Sequence, residues 1–98
     1  MAVGDVYNGL TTAAASTGTV SIQPTGTQEV VIHNIYHASD ISLAYTDGTT
    51  TITFDSDIGS GVYAFYAFHV TSGKYIKVTN TDTSSARAIG YDGIVTHV

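Results

Sequence analysis

The chain has 98 residues, a length that corresponds to one domain with a single hydrophobic core. Eight acidic residues outweigh three basic ones, for a formal net charge of −5, which excludes a basic surface that follows a nucleic-acid backbone. The absence of cysteine excludes disulfides and thiolate metal sites. No apolar run approaches the roughly 20 residues of a membrane-spanning helix. From the acidic charge and the lack of such a run, we expect neither a nucleic-acid nor a membrane partner.

The N-terminal region carries scattered apolar side chains and three consecutive alanines beside threonine and serine. These alanines are too few to nucleate a helix, so we predict an extended arm over residues 1–18. A β-sandwich domain is predicted over residues 19–98, because threonine is β-branched and the chain has sixteen of them. The first strand is expected at 19–23, where Val20 and Ile22 alternate with polar residues.

Residues 29–38 and 62–70 are predicted strands that are apolar on both faces. In a small sandwich each strand normally hides one face and exposes the other, so the second faces of these strands must be covered by the arm or by another chain. Large exposed apolar patches are unusual on monomers, which favours an oligomer or a subunit of a larger assembly. The candidate interface residues are Val6, Tyr7, Leu10, Tyr63, Phe65, Tyr66, Ile94 and Val95.

The segment 40–56 predicts a β-hairpin around Asp47-Gly48, because a two-residue turn needs the positive φ that Asp-Gly tolerates. Asp92-Gly93 repeats this signal and predicts a turn before a short tail at 94–98. The register predicted for the hairpin pairs Tyr45 with Thr50, Leu43 with Ile52, and Ile41 with Phe54.

Turn signals recur at short intervals along the chain, with no helical pattern between them. This spacing predicts an all-β fold, an antiparallel β-sandwich of seven to eight strands. Jelly-roll and Ig-like connections fit the pattern equally well.

The sequence contains no constellation that predicts catalysis, a metal or a cofactor. His33 and His37 have the spacing of a zinc motif, but in a strand they lie about 13 Å apart, too far to share one ion. Asp55-Ser56-Asp57 resembles the start of a calcium loop, but Tyr66 stands where that loop needs a bidentate glutamate. We therefore expect a protein that is not an enzyme.

The tyrosines allow two interpretations. They could form a sugar-stacking platform on a carbohydrate- or receptor-binding module, or they could lie at subunit contacts with the ring covered and the hydroxyl in water. The tyrosines concerned are Tyr45, Tyr63, Tyr66 and Tyr75.

Four segments carry a family resemblance: 31–37 (VIHNIYH), 43–48 (LAYTDG), 75–81 (YIKVTNT) and 90–94 (GYDGI). Over residues 28–95 the chain resembles small β-sandwich virion proteins of tailed bacteriophages, namely capsid decoration (cement) proteins and related head or tail accessory subunits. The resemblance implies a non-enzymatic homo-oligomer, with a trimer favoured, that binds the major capsid protein and stabilises the head. It also implies assembly in the host cytoplasm and a final location in the virion. A tail or head–tail connector subunit is the alternative within the same resemblance.

Overall fold

The structure, a computed structural model, describes residues 2–98 and consists of antiparallel strands joined by turns, with no helix in that range. There are nine strands, one or two more than predicted. The strands are β1 (Val6–Ala13), β2 (Thr19–Ile22), β3 (Glu29–His37), β4 (Ile41–Thr46), β5 (Thr51–Asp57), β6 (Gly61–Tyr63), β7 (Phe68–Thr71), β8 (Tyr75–Asn80) and β9 (Arg87–His97).

The strands form two sheets, and the chain crosses repeatedly from one to the other. The first sheet has the order β1-β9-β3-β6, with β7 also paired to β3, and the second sheet has the order β2-β8-β4-β5. β6 and β7 pair with opposite ends of β3, so they occupy one strand position at the edge of the first sheet. β5 is the edge strand of the second sheet. It faces β7 across the sandwich, where the rings of Phe54 and Phe68 are in contact.

The core lies between the two sheets and is mostly aliphatic. Burying a side chain of this size stabilises the fold by about 1.5–3 kcal/mol. Two antiparallel sheets packed face to face over such a core are the arrangement of a β-sandwich, and the all-β prediction is confirmed. The largest fully buried apolar side chains are Val30, Ile32, Ile35, Val70, Ile89 and Val95 of the first sheet, and Ile22, Ile41, Leu43, Ile76 and Val78 of the second.

The middle of the predicted extended arm is a strand of the first sheet. β1 pairs with β9 from Val6 opposite Ile94 to Ala13 opposite Arg87, and Ala13 is buried in the core. The prediction for residues 1–18 is therefore wrong for Val6–Ala13, and Met1 lies outside the described residues. The physical reason is that the edge of a sheet offers unpaired backbone groups, which bind any neighbouring segment that has no strong helical preference.

The hairpin is present, but its loop is longer and its register differs from the prediction. Tyr45 pairs with Ile52 instead of Thr50, and a four-residue loop, 47–50, connects β4 to β5. Asp47 explains the loop, because its Oδ1 accepts the backbone N–H groups of Thr49 (2.8 Å) and Thr50 (2.7 Å). The ladder then shifts at a bulge, so that Leu43 pairs with Asp55 instead of Ile52, and Ile41 pairs with Asp57 instead of Phe54.

Asp92-Gly93 forms no turn, and β9 continues through it to His97. A Cβ atom at Gly93 would lie 2.1 Å from the carbonyl oxygen of Val31 on β3, so only glycine fits this close approach of two backbones. The glycine that suggested a hairpin therefore allows two central strands to pack together.

One end of the molecule is closed around Asn80, which is fully buried. Its Nδ2 donates to the backbone carbonyls of Ala13 (3.1 Å), Ala14 (3.2 Å) and Ser85 (2.9 Å). Its Oδ1 accepts the backbone N–H of Asp82 at 2.8 Å. One side chain thereby fixes the turn after β1 and the loop before β9, and we call this region the Asn80 cluster.

Candidate interaction surfaces

An exposed apolar row crosses the outer face of the first sheet. The pairings place Leu10 beside Gly90, Gly90 beside Tyr36, and Tyr36 beside Val62. Leu10 is 82% exposed, and Tyr36 and Val62 are each about half exposed. A Cβ at Gly90 would lie 3.1 Å from Leu10 Cδ1 and 3.7 Å from Tyr36 Cδ2, so these two side chains lean over the glycine from both sides. We call this row, with Val6, Val31 and Ile94 below it, the outer apolar face.

The second part of the outer apolar face is the row Val6, Ile94 and Val31. Val6 is exposed, whereas Ile94 and Val31 are half-buried. The two rows share one side of the sheet because Val6 and Leu10 are four residues apart on β1, and Ile94 and Gly90 are four apart on β9. The result is an apolar surface that extends over three strands and the edge position next to them.

A small polar network lies between these two rows. Asp92 accepts hydrogen bonds from Asn34 Nδ2 at 2.7 Å and from the Tyr36 hydroxyl at 2.6 Å. The hydrogen bond to Asp92 raises the pKa of Tyr36 above its usual value, with desolvation as a smaller cause. The carboxylate is therefore satisfied inside the chain, which lowers the cost of covering this face with another protein.

The predicted strand 62–70 is interrupted, because residues 64–67 leave the sheet between β6 and β7. Phe65 has a φ of +63°, and its ring is 98% exposed. Its N–H donates to Asn34 Oδ1 at 3.3 Å, and the next N–H, of Tyr66, donates to the His33 carbonyl at 3.0 Å. The network on Asp92 therefore also fixes the backbone of this segment, which we call the Phe65 loop.

A continuous line of aromatic rings runs along the open edge between β5 and β6–β7. Phe54 packs on Phe68, Phe68 stacks on Tyr66, Tyr66 contacts Tyr63, and Tyr63 contacts His37, with centroid distances of 5.2–6.2 Å. Such ring pairs stabilise by about 0.5–1.5 kcal/mol beyond the area that they bury. This line closes the sandwich where no strand covers it.

A cleft opens at one end of this aromatic line. Its volume is about 320 Å³, and its walls are mainly apolar. It reaches the inner face of the second sheet through Ile76, which belongs to the core. Its lining residues are Tyr45, Phe54, Ala67, Phe68, His69 and Ile76.

The other end of the line carries a small polar group. His37 is buried, with Nδ1 3.0 Å from the Ala38 carbonyl and Nε2 3.8 Å from Asp57 Oδ2. Burial, together with a hydrogen bond to Asp55, raises the pKa of Tyr63 to about 12. Among the described residues no group of three or more histidine, aspartate or glutamate side chains could hold a metal ion.

The predicted interface residues fall into four groups. Val6, Leu10 and Ile94 belong to the outer apolar face, and Phe65 and Tyr66 belong to the Phe65 loop. Tyr7 and Tyr63 are half-buried against the core, with burial as the first cause of the raised pKa of Tyr7. Val95 is fully buried, so it is unavailable to a partner.

Sequence reasoning missed Tyr36, Val62 and Gly90 as members of one surface. The two-faced pattern of 29–38 pointed to Tyr36. The alignment of the three residues across strands depends on a bulge at His33, and the sequence around His33 contains no signal that predicts a bulge.

The four tyrosines do not form a flat platform. Tyr75 is half-buried against the core, Tyr45 lines the cleft, and the rings of Tyr63 and Tyr66 are tilted by 51°.

No protein-family model matches the sequence, and a search of curated proteins also finds no match. Within residues 2–98 no helix is long and apolar enough to cross a membrane.

Proposed function

We propose that this chain is a non-enzymatic structural subunit that binds another protein through its outer apolar face. The carrying observation is the row of Leu10, Tyr36 and Val62, beside which the carboxylate of Asp92 is already hydrogen-bonded inside the chain. Contiguous apolar patches beyond a few hundred Å² on soluble proteins mark interaction sites. Covering this face with another chain therefore lowers the free energy, and the desolvation of few polar groups opposes that change.

The strand order supports a virion setting by analogy of fold. Sheets ordered β1-β9-β3-β6 and β2-β8-β4-β5, with the chain crossing between them, have the arrangement of a jelly roll. This architecture is frequent in viral capsid subunits and also occurs in lectins. Together with the resemblance to cement proteins, it leads us to propose a capsid decoration subunit that binds the major capsid protein and also self-associates.

A pelleting experiment tests this proposal. Capsids assembled from the major capsid protein of the same genome are mixed with the chain, or with its Leu10→Asp variant, and sedimented. Truncation of an anchoring side chain at an interface typically costs more than about 1 kcal/mol, and a buried carboxylate costs more, so we expect at least about tenfold weaker binding. Ile58→Asp is the matched control, because Ile58 is 86% exposed and lies in the connection between β5 and β6, outside the strand pairings that form this face.

Co-sedimentation of the wild-type chain that Leu10→Asp weakens and Ile58→Asp preserves would support the proposal. Failure of the wild-type chain to pellet with capsids, or equal pelleting of all three chains, would contradict it. A glycan array tests the carbohydrate-binding alternative, for which a decoration subunit gives no saccharide signal.

A further inference from the structure

Phe65 and the cleft beside it match each other as a knob and a hole. We propose that Phe65 of one copy inserts into the cleft of a second copy, reciprocally, across a two-fold axis at the β5/β7 edge. This inference rests on the proposed role as a self-associating structural subunit, and it names the residue and the pocket that make the self-contact.

The first supporting observation is the conformation of Phe65. A φ of +63° is unfavourable for a bulky residue other than glycine, asparagine or aspartate. The chain nevertheless holds it there, through Asn34 Oδ1 on its own N–H and the His33 carbonyl on the N–H of Tyr66. Within the chain the ring gains nothing from this arrangement, because it is 98% exposed. Strain that is maintained by specific bonds at an exposed aromatic residue is characteristic of a binding element.

The second observation is the size and chemistry of the cleft. A dry cavity of about 150 Å³ accepts benzene, so a cleft of about 320 Å³ has room for a phenyl ring. Phe54 and Phe68 in its wall offer ring edges and faces, and Ile76 at its floor offers an aliphatic contact. The walls hold His69 but no carboxylate, lysine or arginine, so an apolar ring meets no unpaired charge there.

The third observation concerns symmetry. Ala67 lines the cleft and lies two residues after Phe65, so the knob and the hole belong to the same edge of one subunit. A two-fold axis near that edge brings each ring to the partner's cleft, and the contact closes after two copies. A cyclic trimer would require the knob and the hole on different sides of the subunit. The contact therefore makes pairs, whereas the resemblance to cement proteins implies trimers.

Phe65→Gly separates a binding role from a structural role. Glycine adopts positive φ freely, so this variant relieves backbone strain while it removes the ring. We expect sedimentation velocity of the full chain, from about 1 µM to about 1 mM, to show a dimer that Phe65→Gly converts to a folded monomer. Ile58→Gly, the control at an equally exposed apolar residue, should leave the dimer intact.

A complementation experiment tests the hole. Ala67→Trp fills the cleft with its own side chain and retains Phe65, so it should also be monomeric. Mixed with Phe65→Gly, which retains an open cleft, it should form a heterodimer that carries one of the two ring contacts.

Loss of the dimer in both variants, with a heterodimer in their mixture, would support the proposal. A dimer that persists in Phe65→Gly, a wild-type trimer, or a wild-type monomer throughout the range would overturn it. In each of these cases the pelleting result for Leu10→Asp still decides the capsid-binding proposal, because Leu10 lies on the outer apolar face and not at the cleft.

Discussion

The Asn80 cluster and the Phe65 loop both contain non-glycine residues with positive φ that internal hydrogen bonds hold in place, but the two regions differ in what the strained segment does. Ser16, Thr17 and Asp40 have φ values of 58–73°, and each is tied by a backbone hydrogen bond to the segment 80–82. At Phe65 the backbone is equally constrained, yet the ring contacts almost nothing. The contrast separates two uses of strain: in the cluster it closes one end of the fold, and in the loop it exposes an aromatic side chain, which we propose binds a partner.

The energies involved are comparable in the two regions. A non-glycine residue in the left-handed region costs about 1–2 kcal/mol, and one intramolecular hydrogen bond returns about 0.5–1.5 kcal/mol. The bonds of the cluster can therefore offset its three strained residues. In the Phe65 loop the bonds to Asn34 and His33 offset the backbone cost, but the exposed ring gains no packing energy within the chain.

The largest effect is expected from Asn80→Ala, which tests the structural side of this comparison. The change leaves the backbone carbonyls of Ala13, Ala14 and Ser85 and the N–H of Asp82 without their side-chain partner, and Ala13 is buried. An unsatisfied buried group costs about 1–3 kcal/mol, so we expect a loss of about 3 kcal/mol in the free energy of unfolding, measured by urea denaturation. Asn8→Ala, at an exposed position of β1, is the control and should change stability by less than about 0.5 kcal/mol. A similar small change for Asn80→Ala would mean that the cluster does not hold this end together.

Asn34→Ala comes next and tests the functional side. It removes the acceptor of the Phe65 N–H and the donor to Asp92 but retains the Phe65 ring. We expect a stability loss of about 1–2 kcal/mol, because Asn34 is half-buried and makes two bonds. We also expect weaker self-association in sedimentation velocity, because the ring is no longer held in its binding position. His33→Ala, next to it and exposed, should leave both properties nearly unchanged, since His33 acts through its backbone carbonyl. Unchanged self-association in Asn34→Ala would contradict the claim that the conformation of the Phe65 loop controls binding.

The smallest effect concerns acid stability at the Asn80 cluster. A hydrogen bond from the Ser84 N–H, followed by one from Arg87, lowers the pKa of Asp82 to about 2. Because this pKa lies below the unfolded value of about 3.9, the contribution of Asp82 is complete above about pH 4 and is lost as the pH falls toward 2. Asp82→Asn should be less stable than wild type at neutral pH, and its stability should decline less between pH 4 and pH 2 in thermal melts. Parallel declines would show that another carboxylate controls acid unfolding.

The sequence predicted the regular part of the fold. Alternation in β2 and β8, with Val20, Ile22, Ile76 and Val78 directed inward, correctly places the core, because burial of one face imposes a period of two. The turn predictions failed where the backbone geometry of the fold outweighs the preference of the residue types. Asp92-Gly93 reads as a turn but lies within β9, and Asp47 closes a longer loop than Asp-Gly alone implies.

The candidate surfaces were predicted in part. The two-faced pattern of β3 pointed to an uncovered apolar face, and Leu10 and Val6 were expected at an interface, although as part of an arm. The cleft could not be predicted, because Tyr45, Phe54, Phe68 and Ile76 come from four strands that only the fold brings together. The Phe65 loop could not be predicted for a related reason. Its departure from the sheet is stabilised by the side chain of Asn34, which is distant in sequence.

Electron cryo-microscopy of the particle that carries this chain tests the central proposal most directly. We expect density of a neighbouring protein to cover Leu10, Tyr36 and Val62 on the first sheet. A particle in which this face is open to solvent, while the chain is held by other surfaces, would contradict it.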